Sequence, residues 1–265
     1  LNDGCYQEMF YNCTSLTTAP ELPATTLARN CYASMFRECT SLTQAPELPA
    51  TTIYNRSYFA MFRKCSKLNY VKALFTDIPS NSLPLWLDGV SETGTFIKSK
   101  DATWSNTDAG IPEGWTVQVE GGVTPDPEPG PGPTPEPDKD YLCFTSTGDS
   151  TVAMEQHGTP NTSANKVLQY KLNGGQWQTW DLSAVSLANG DKMYVKSDDT
   201  IPISESNDIY KRFTITGSIA ASGNIMSLLN FSDTLTDYAF SKLFTGCRSL
   251  KQAPELPATT LANNC

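Results

Sequence analysis

The chain is short of the residues on which most protein chemistry depends. Among its 265 residues there is a single histidine, His157, and only 18% of positions are charged. A Ser–His–Asp or Cys–His site would have to use His157, in the polar turn Gln156-His157-Gly158-Thr159-Pro160, where no nucleophile motif stands beside it. No Cys-x-x-Cys occurs, which removes the metal sites built on that spacing. P-loop and Gly-x-Gly-x-x-Gly signatures are absent as well, and with them the usual nucleotide cradles. The acidic residues are too scattered to nominate a glycosidase pair. Asp198 and Asp199 are consecutive, so on a strand they diverge. Calcium at Asp138-Lys-Asp140 or at Asp198-Asp199 would lack the ligand spacing of a dedicated loop. Basic residues are outnumbered 19 to 28, giving a net charge of −9, which argues against nucleic acid or an anionic membrane as a partner. No window approaches the ~20 apolar residues of a membrane span. The expectation is a protein that is not an enzyme and holds no metal or cofactor.

What the chain does have is repetition. Cys13-Thr-Ser-Leu-Thr-Thr-Ala-Pro-Glu-Leu-Pro-Ala-Thr-Thr-Leu27 returns almost unchanged as Cys39 to Ile53 and again as Cys247 to Leu261. The period is 26 residues, the separation of Cys13 from Cys39 and of Cys39 from Cys65. A period of that size predicts a solenoid whose units bury their apolar sides only by stacking. Within a unit, Leu16 to Leu22 is broken by Pro20 and Pro23, which predicts a short strand and a proline-fixed corner. From Leu27 the apolar spacing changes: Leu27, Cys31 and Met35 step by four, with Tyr32 and Phe36 beside them, which predicts a two-turn helix. Leu16, Leu22, Leu27, Cys31, Met35, Phe36, Cys39 and Cys65 are the predicted structural core.

The eight cysteines fall on two repeat positions and one outlier. Cys13, Cys39, Cys65 and Cys247 share one; Cys5, Cys31 and Cys265 share the other, where Ser57 stands in the third unit. Pairing Cys31 with Cys39 would therefore leave Cys65 without a partner. A column of small buried thiols is favoured over a ladder of disulfides.

Leu16-x-x-Ala19 with Leu22-Pro23, Leu27 and Met35-Phe36-x-x-Cys39 resembles the leucine-rich repeats of the BspA-like (Treponema-type) bacterial surface proteins. The 26-residue variant, with Ala-Pro-Glu-Leu-Pro-Ala-Thr-Thr-Leu and Cys-Tyr-x-x-Met-Phe, looks like the form seen in gut Bacteroidetes. The resemblance covers residues 1–90 and 239–265. It implies a secreted or surface-attached, non-catalytic protein, commonly adhesive, and names no ligand. Asp149-Ser-Thr, Asp199-Thr-Ile and Asp233-Thr-Leu look like the short O-glycosylation signal of Bacteroidetes secreted proteins, a weak sign of export.

The expected organisation is leucine-rich repeats over 1–90, an aromatic cap over 91–120, a Pro/Gly/acidic linker over 121–140, a separate β-sandwich-like domain over 141–238, and a restarted repeat array over 239–265. The fold class expected is α+β repeat, a strand plus a short helix in every coil. The third unit departs from its pattern at Val71-Lys-Ala-Leu-Phe75, and Trp86, Phe96, Trp104 and Trp115 follow. A lid over the exposed end of the array is favoured for them over a carbohydrate platform. The segment GGVTPDPEPGPGPTPEPDKD is expected to be an extended stalk, with recognition by a proline-binding domain as the alternative. After it, period-2 segments and the Asn173-Gly174-Gly175 hairpin signal predict some six short strands. Packing is favoured over sugar stacking for Trp177 and Trp180.

Leu261 to Cys265 is in register with Leu1 to Cys5, so joining residue 260 to residue 1 would give an unbroken array. That predicts a window cut from tandem modules, against a boundary set for other reasons, with head-to-tail neighbouring modules as partners. The function expected is adhesion, or binding of proteins or glycans on host or bacterial surfaces. The ligand-facing positions would be those that vary between units: Thr17, Thr18, Thr43, Gln44, Asn69 and Tyr70, and Arg29, Asn30, Asn55 and Arg56. The alternative is a structural fibre or decoration protein, either a surface filament or a phage fibre.

Overall fold

Residues 6–120, 141–232, 235–236 and 238–257 are described by a computed structural model; the 121–140 segment, for which a stalk is expected, lies outside them. Among the described residues there is no α-helix: eleven strands and two short 3₁₀ helices supply the regular structure. A leucine-rich-repeat coil with one helix each is therefore not what this sequence forms.

The residues read as helix form a chain of turns. In the first unit the N–H groups of Met9, Tyr11 and Cys13 close turns onto the carbonyls of Tyr6, Glu8 and Phe10. The alternate donors, Tyr6, Glu8, Phe10 and Asn12, point along the stack and bond the carbonyls of Cys31, Ala33, Met35 and Arg37. The next unit repeats this, with Tyr32, Ser34, Phe36 and Glu38 bonded to Ser57, Phe59, Met61 and Arg63. A helix would spend all of these donors within its own segment; here half of them go to the neighbouring unit, and a unit alone would leave them unpaired.

Every fourth residue in these turns has a left-handed backbone: Asn30, Ser34 and Glu38 in one unit, Arg56, Ala60 and Lys64 in the next, with φ between 49° and 64°. The turn period is thus four residues, close enough to 3.6 over two turns for its apolar stripe to look helical. Tyr238, Lys242 and Gly246 continue the series in the last unit, Gly246 at φ 78°, a conformation that glycine adopts without steric penalty.

Between the turns, the proline corners carry a second column of hydrogen bonds. Ala45 and Leu48, flanking Pro46, donate to Tyr70 and Lys72 of the next unit at 2.9 and 3.0 Å. This column becomes a parallel sheet of β1 (Tyr70–Ala73), β2 (Gly94–Lys98) and β3 (Trp115–Val119). Gly94 is required there, because a Cβ would lie 2.5 Å from the Asn69 carbonyl oxygen and 2.7 Å from the Trp115 ring. Trp86, Phe96, Trp104 and Trp115 are buried at this end of the array. Trp86 and Trp104 pack on Phe96 edge to face, and the three indole N–H groups donate to the carbonyls of Ala109, Phe75 and Ser91.

The segment after residue 140 forms two antiparallel sheets. One runs β11 (Ile219–Ser222), β4 (Leu142–Ser146), β9 (Lys192–Lys196), β6 (Leu168–Leu172), β7 (Gln178–Trp180); the other runs β10 (Tyr210–Thr216), β5 (Ser150–His157), β8 (Val185–Leu187). Phe144 on β4 meets Phe213 on β10 at 4.8 Å. The expectation of a separate β domain fails, because its core continues into the repeats without a break. Phe213 stacks on Phe244 of the last repeat, and the Phe213 N–H donates to Leu243. β11 is bridged in parallel to the same repeat at Ile219–Leu250. The last repeat in turn sits against the first: Phe244 and Gly246 donate to Met9 and Tyr11, and Thr17 donates to Lys251. In space the order is therefore sheets, residues 238–257, then residues 6–27 and onward.

One aromatic spine runs the length of this order. Phe213, Phe244, Phe10, Phe36, Phe62 and Trp86 succeed one another at centroid distances of 5.1, 5.5, 5.6, 5.6 and 6.5 Å. Phe36→Ala should cost ~3–5 kcal/mol, as removal of a fully buried phenyl ring does. Gly94→Ala should cost ~1–3 kcal/mol through overpacking. Chemical denaturation of the two variants measures both values; a Gly94→Ala protein as stable as its parent would contradict the close approach described.

Candidate functional site

The turn segments of neighbouring units bring Arg29, Asn30 and Arg56 to one cleft of about 320 Å³. Asn30 and Arg56 hold left-handed positions one repeat apart, so both face the same side of the stack. The Arg56 guanidinium lies 4.0 Å from the centre of the Phe59 ring, which fixes its orientation. Among the described residues neither Arg29 nor Arg56 has an ion-pair partner. The nearby carboxylate of Glu8 is taken by Lys242, 3.5 Å away. The wall is completed by Asn207, whose Oδ1 is buried and accepts no hydrogen bond, while its backbone carbonyl accepts from Lys242. In a chain of net charge −9, this cleft brings together two cations that are unpaired among the described residues.

The other predicted ligand-facing residues do not join it. Thr17, Thr18, Thr43, Gln44 and Asn69 are exposed along the proline-corner column, with Tyr70 half-buried beside them. Their backbones are spent between units: Thr17 donates to Lys251, Asn69 to Thr43, and Thr18 and Gln44 are bridged to Gln252 and Tyr70. Asn55 accepts from the Asn30 N–H and reaches toward the Ser80 carbonyl, outside the cleft lining. Sequence reasoning missed Glu8, Phe59, Lys242 and Asn207. The 26-residue register places Phe59 one repeat beyond Ala33, so Phe59 was accessible from the pattern; Asn207, in the loop before β10, carries no such signal.

Other groups with chemical capacity are occupied. His157 stacks on Tyr210 at 4.6 Å and meets the Glu155 carboxylate at 3.0 Å. The hydrogen bond from His157, with Arg212, holds the Glu155 carboxyl below its ordinary range. Burial would raise the Asp199 carboxyl, but the fully buried ammonium of Lys166, 2.8 Å away, keeps it low. Asp198 is bonded to Lys196 and Gln169. No group of three or more potential metal ligands occurs among the described residues; Asp138 and Asp140 lie outside them. Trp180 is buried with its N–H on the Ser183 carbonyl. Trp177 is half-buried, with Tyr141 at 5.0 Å and the ammonium groups of Lys171 and Lys196 over its ring. A larger depression of about 430 Å³ lies between Leu83, Leu85, Leu87 and Pro112, and its charged lining is two carboxylates, Asp88 and Glu92.

The core positions Leu16, Leu22, Leu27, Cys31, Met35, Phe36, Cys39 and Cys65 are all buried. The six described cysteines form no disulfide, and four of them form a column. The thiols of Cys247, Cys13, Cys39 and Cys65 donate to the carbonyls of Phe213, Phe244, Phe10 and Phe36, each in the layer before, at 2.9–3.1 Å. Burial pushes the Cys65 and Cys247 thiols up to about 12, far from the thiolate that nucleophilic or metal chemistry needs. Cys5 and Cys265 lie outside the described residues.

No protein-family model, curated protein or solved structure matches the chain. Among the described residues no helix is long and apolar enough to cross a membrane.

Because thiol reactivity follows thiolate fraction and access, the six described cysteines should resist iodoacetamide at pH 8 and react once the protein is denatured. Mass spectrometry of the labelled peptides reads this directly. Alkylation of Cys39 or Cys65 in the folded protein would contradict the buried column.

Proposed function

We propose that the protein is a non-catalytic binding module displayed outside a bacterial cell, and that its repeat array holds an acidic carbohydrate at the Arg29–Arg56 cleft. The observation that carries this reading is the pair of unpaired guanidinium groups on an otherwise acidic chain. Guanidinium forks match carboxylate geometry, and a charge-assisted pair of this kind contributes ~1.5–3 kcal/mol. The Lys242–Glu8 pair removes the one carboxylate that would oppose an anion there. Rigid side chains already oriented by stacking, as Arg56 is on Phe59, lose little freedom on binding.

Titration calorimetry with oligogalacturonate, with neutral dextran and poly-glutamate as comparators, tests the reading. Oligogalacturonate should bind, and Arg29→Ala or Arg56→Ala should each weaken it ~10–100-fold. Higher salt should weaken binding as well. Absence of oligogalacturonate binding, or binding indifferent to both arginine substitutions, would overturn the proposal; equal binding of poly-glutamate would replace the carbohydrate with an acidic protein.

A further inference from the structure

Among the described residues, the contact between residues 238–257 and residues 6–27 is the one repeat–repeat boundary not crossed by the chain itself. Its chemistry matches the boundaries that are. Phe244 and Phe10 stack at 5.5 Å and 13°, against 5.6 Å and 5° for Phe10 and Phe36 and 5.6 Å and 4° for Phe36 and Phe62. The Cys13 thiol meets the Phe244 carbonyl at 3.1 Å, the distance at which Cys39 meets Phe10. Lys242, Phe244 and Gly246 donate to Gln7, Met9 and Tyr11 as the equivalent Ser34, Phe36 and Glu38 donate to Phe59, Met61 and Arg63. Lys242 and Glu8 add an ion pair across it.

From β4 to β3 the array climbs seven steps of ~4.8 Å, or ~34 Å. The twenty residues 121–140 that join its two ends can extend to ~60 Å. Their length permits closure on the same chain and equally permits each half to dock on another copy. We infer that this seam is an exchangeable joint, at which residues 238–257 of one copy dock on residues 6–27 of a second copy, so that the protein assembles with itself. The joint offers the second copy what it offers its own chain: a row of unpaired backbone donors, an open phenyl face and a complementary ion pair. Edges of this kind bind matching edges whichever chain supplies them.

Thr17 and Lys251 are exposed neighbours across the seam, with the Thr17 N–H on the Lys251 carbonyl at 2.9 Å and the following residues, Thr18 and Gln252, bridged in parallel. Full-length Thr17→Cys and Lys251→Cys proteins, each with a different mass tag, are refolded together and oxidised. A disulfide between the two tags can form only when the seam joins two copies, and its appearance on a non-reducing gel is the expected result. In the Thr17→Cys/Lys251→Cys double variant, closure within one chain or between chains shows that the positions are competent. Competence in the double variant with no mixed product from the single variants would overturn the inference. A second arm deletes residues 123–138, leaving a tether under ~20 Å that cannot span ~34 Å. Light scattering should then give dimers or larger species with intact secondary structure; a folded monomer would also overturn it.

Discussion

Everything in this structure depends on where alternate backbone N–H groups go. In the turn segments one donor in two is turned outward along the stack, and only the carbonyls of an adjacent unit can accept it. A buried donor left without a partner costs ~1–3 kcal/mol, and each unit has about four of them. No unit can therefore exist by itself, and the array must be closed at both ends. The sheets perform that closure at one end, where Phe213 accepts the spine and donates its N–H to Leu243. At the other, the parallel strands β1 to β3 and the buried tryptophans do so.

The same constraint accounts for the side chains that repeat. Stacking at one fixed register places like on like, so a phenyl ring at one level needs a phenyl ring at the next. The Tyr6, Tyr32 and Tyr58 rings stack at 6.0 Å for the same reason. Cysteine suits its column because a small thiol fits under the turn and donates weakly to the carbonyl of the layer before. Ser57 shows the rule by exception. Where its neighbour in the column is Cys31, its hydroxyl bonds the Ala28 carbonyl of the earlier unit and the Tyr54 carbonyl of its own.

That register is what the sequence displays most openly, and it explains which expectations survived contact with the structure. The 26-residue period identifies which residues lie above one another, because stacking preserves identity from level to level. It does not identify the conformation within a level. A step of four from Leu27 to Cys31 to Met35 is shared by a helix and by turns of four residues, and apolar periodicity cannot separate them over two turns. The left-handed positions could have done so: Asn12, Asn30, Asn81, Gly89 and Gly246 recur at four-residue phases where a helix disfavours asparagine and glycine. The cleft was legible only in part. Arg29, Asn30 and Arg56 follow from variation between units, whereas Lys242 and Asn207 reach it from the far end of the chain by tertiary folding.

The cleft and the seam share one residue pair, so the proposed binding and the proposed assembly would be coupled. Lys242 neutralises Glu8 across the boundary between the last and first repeats. An open seam removes Lys242 from the cleft, exposes the Glu8 carboxylate beside Arg29 and Arg56, and takes Asn207 away with the element that carries it. The proposed anion site is then less positive. A closed seam restores it, whichever copy supplies the closing repeat. If the cleft takes an anion as proposed, its occupancy and closure of the seam favour each other by the same free energy, since the linkage between two equilibria of one molecule is reciprocal.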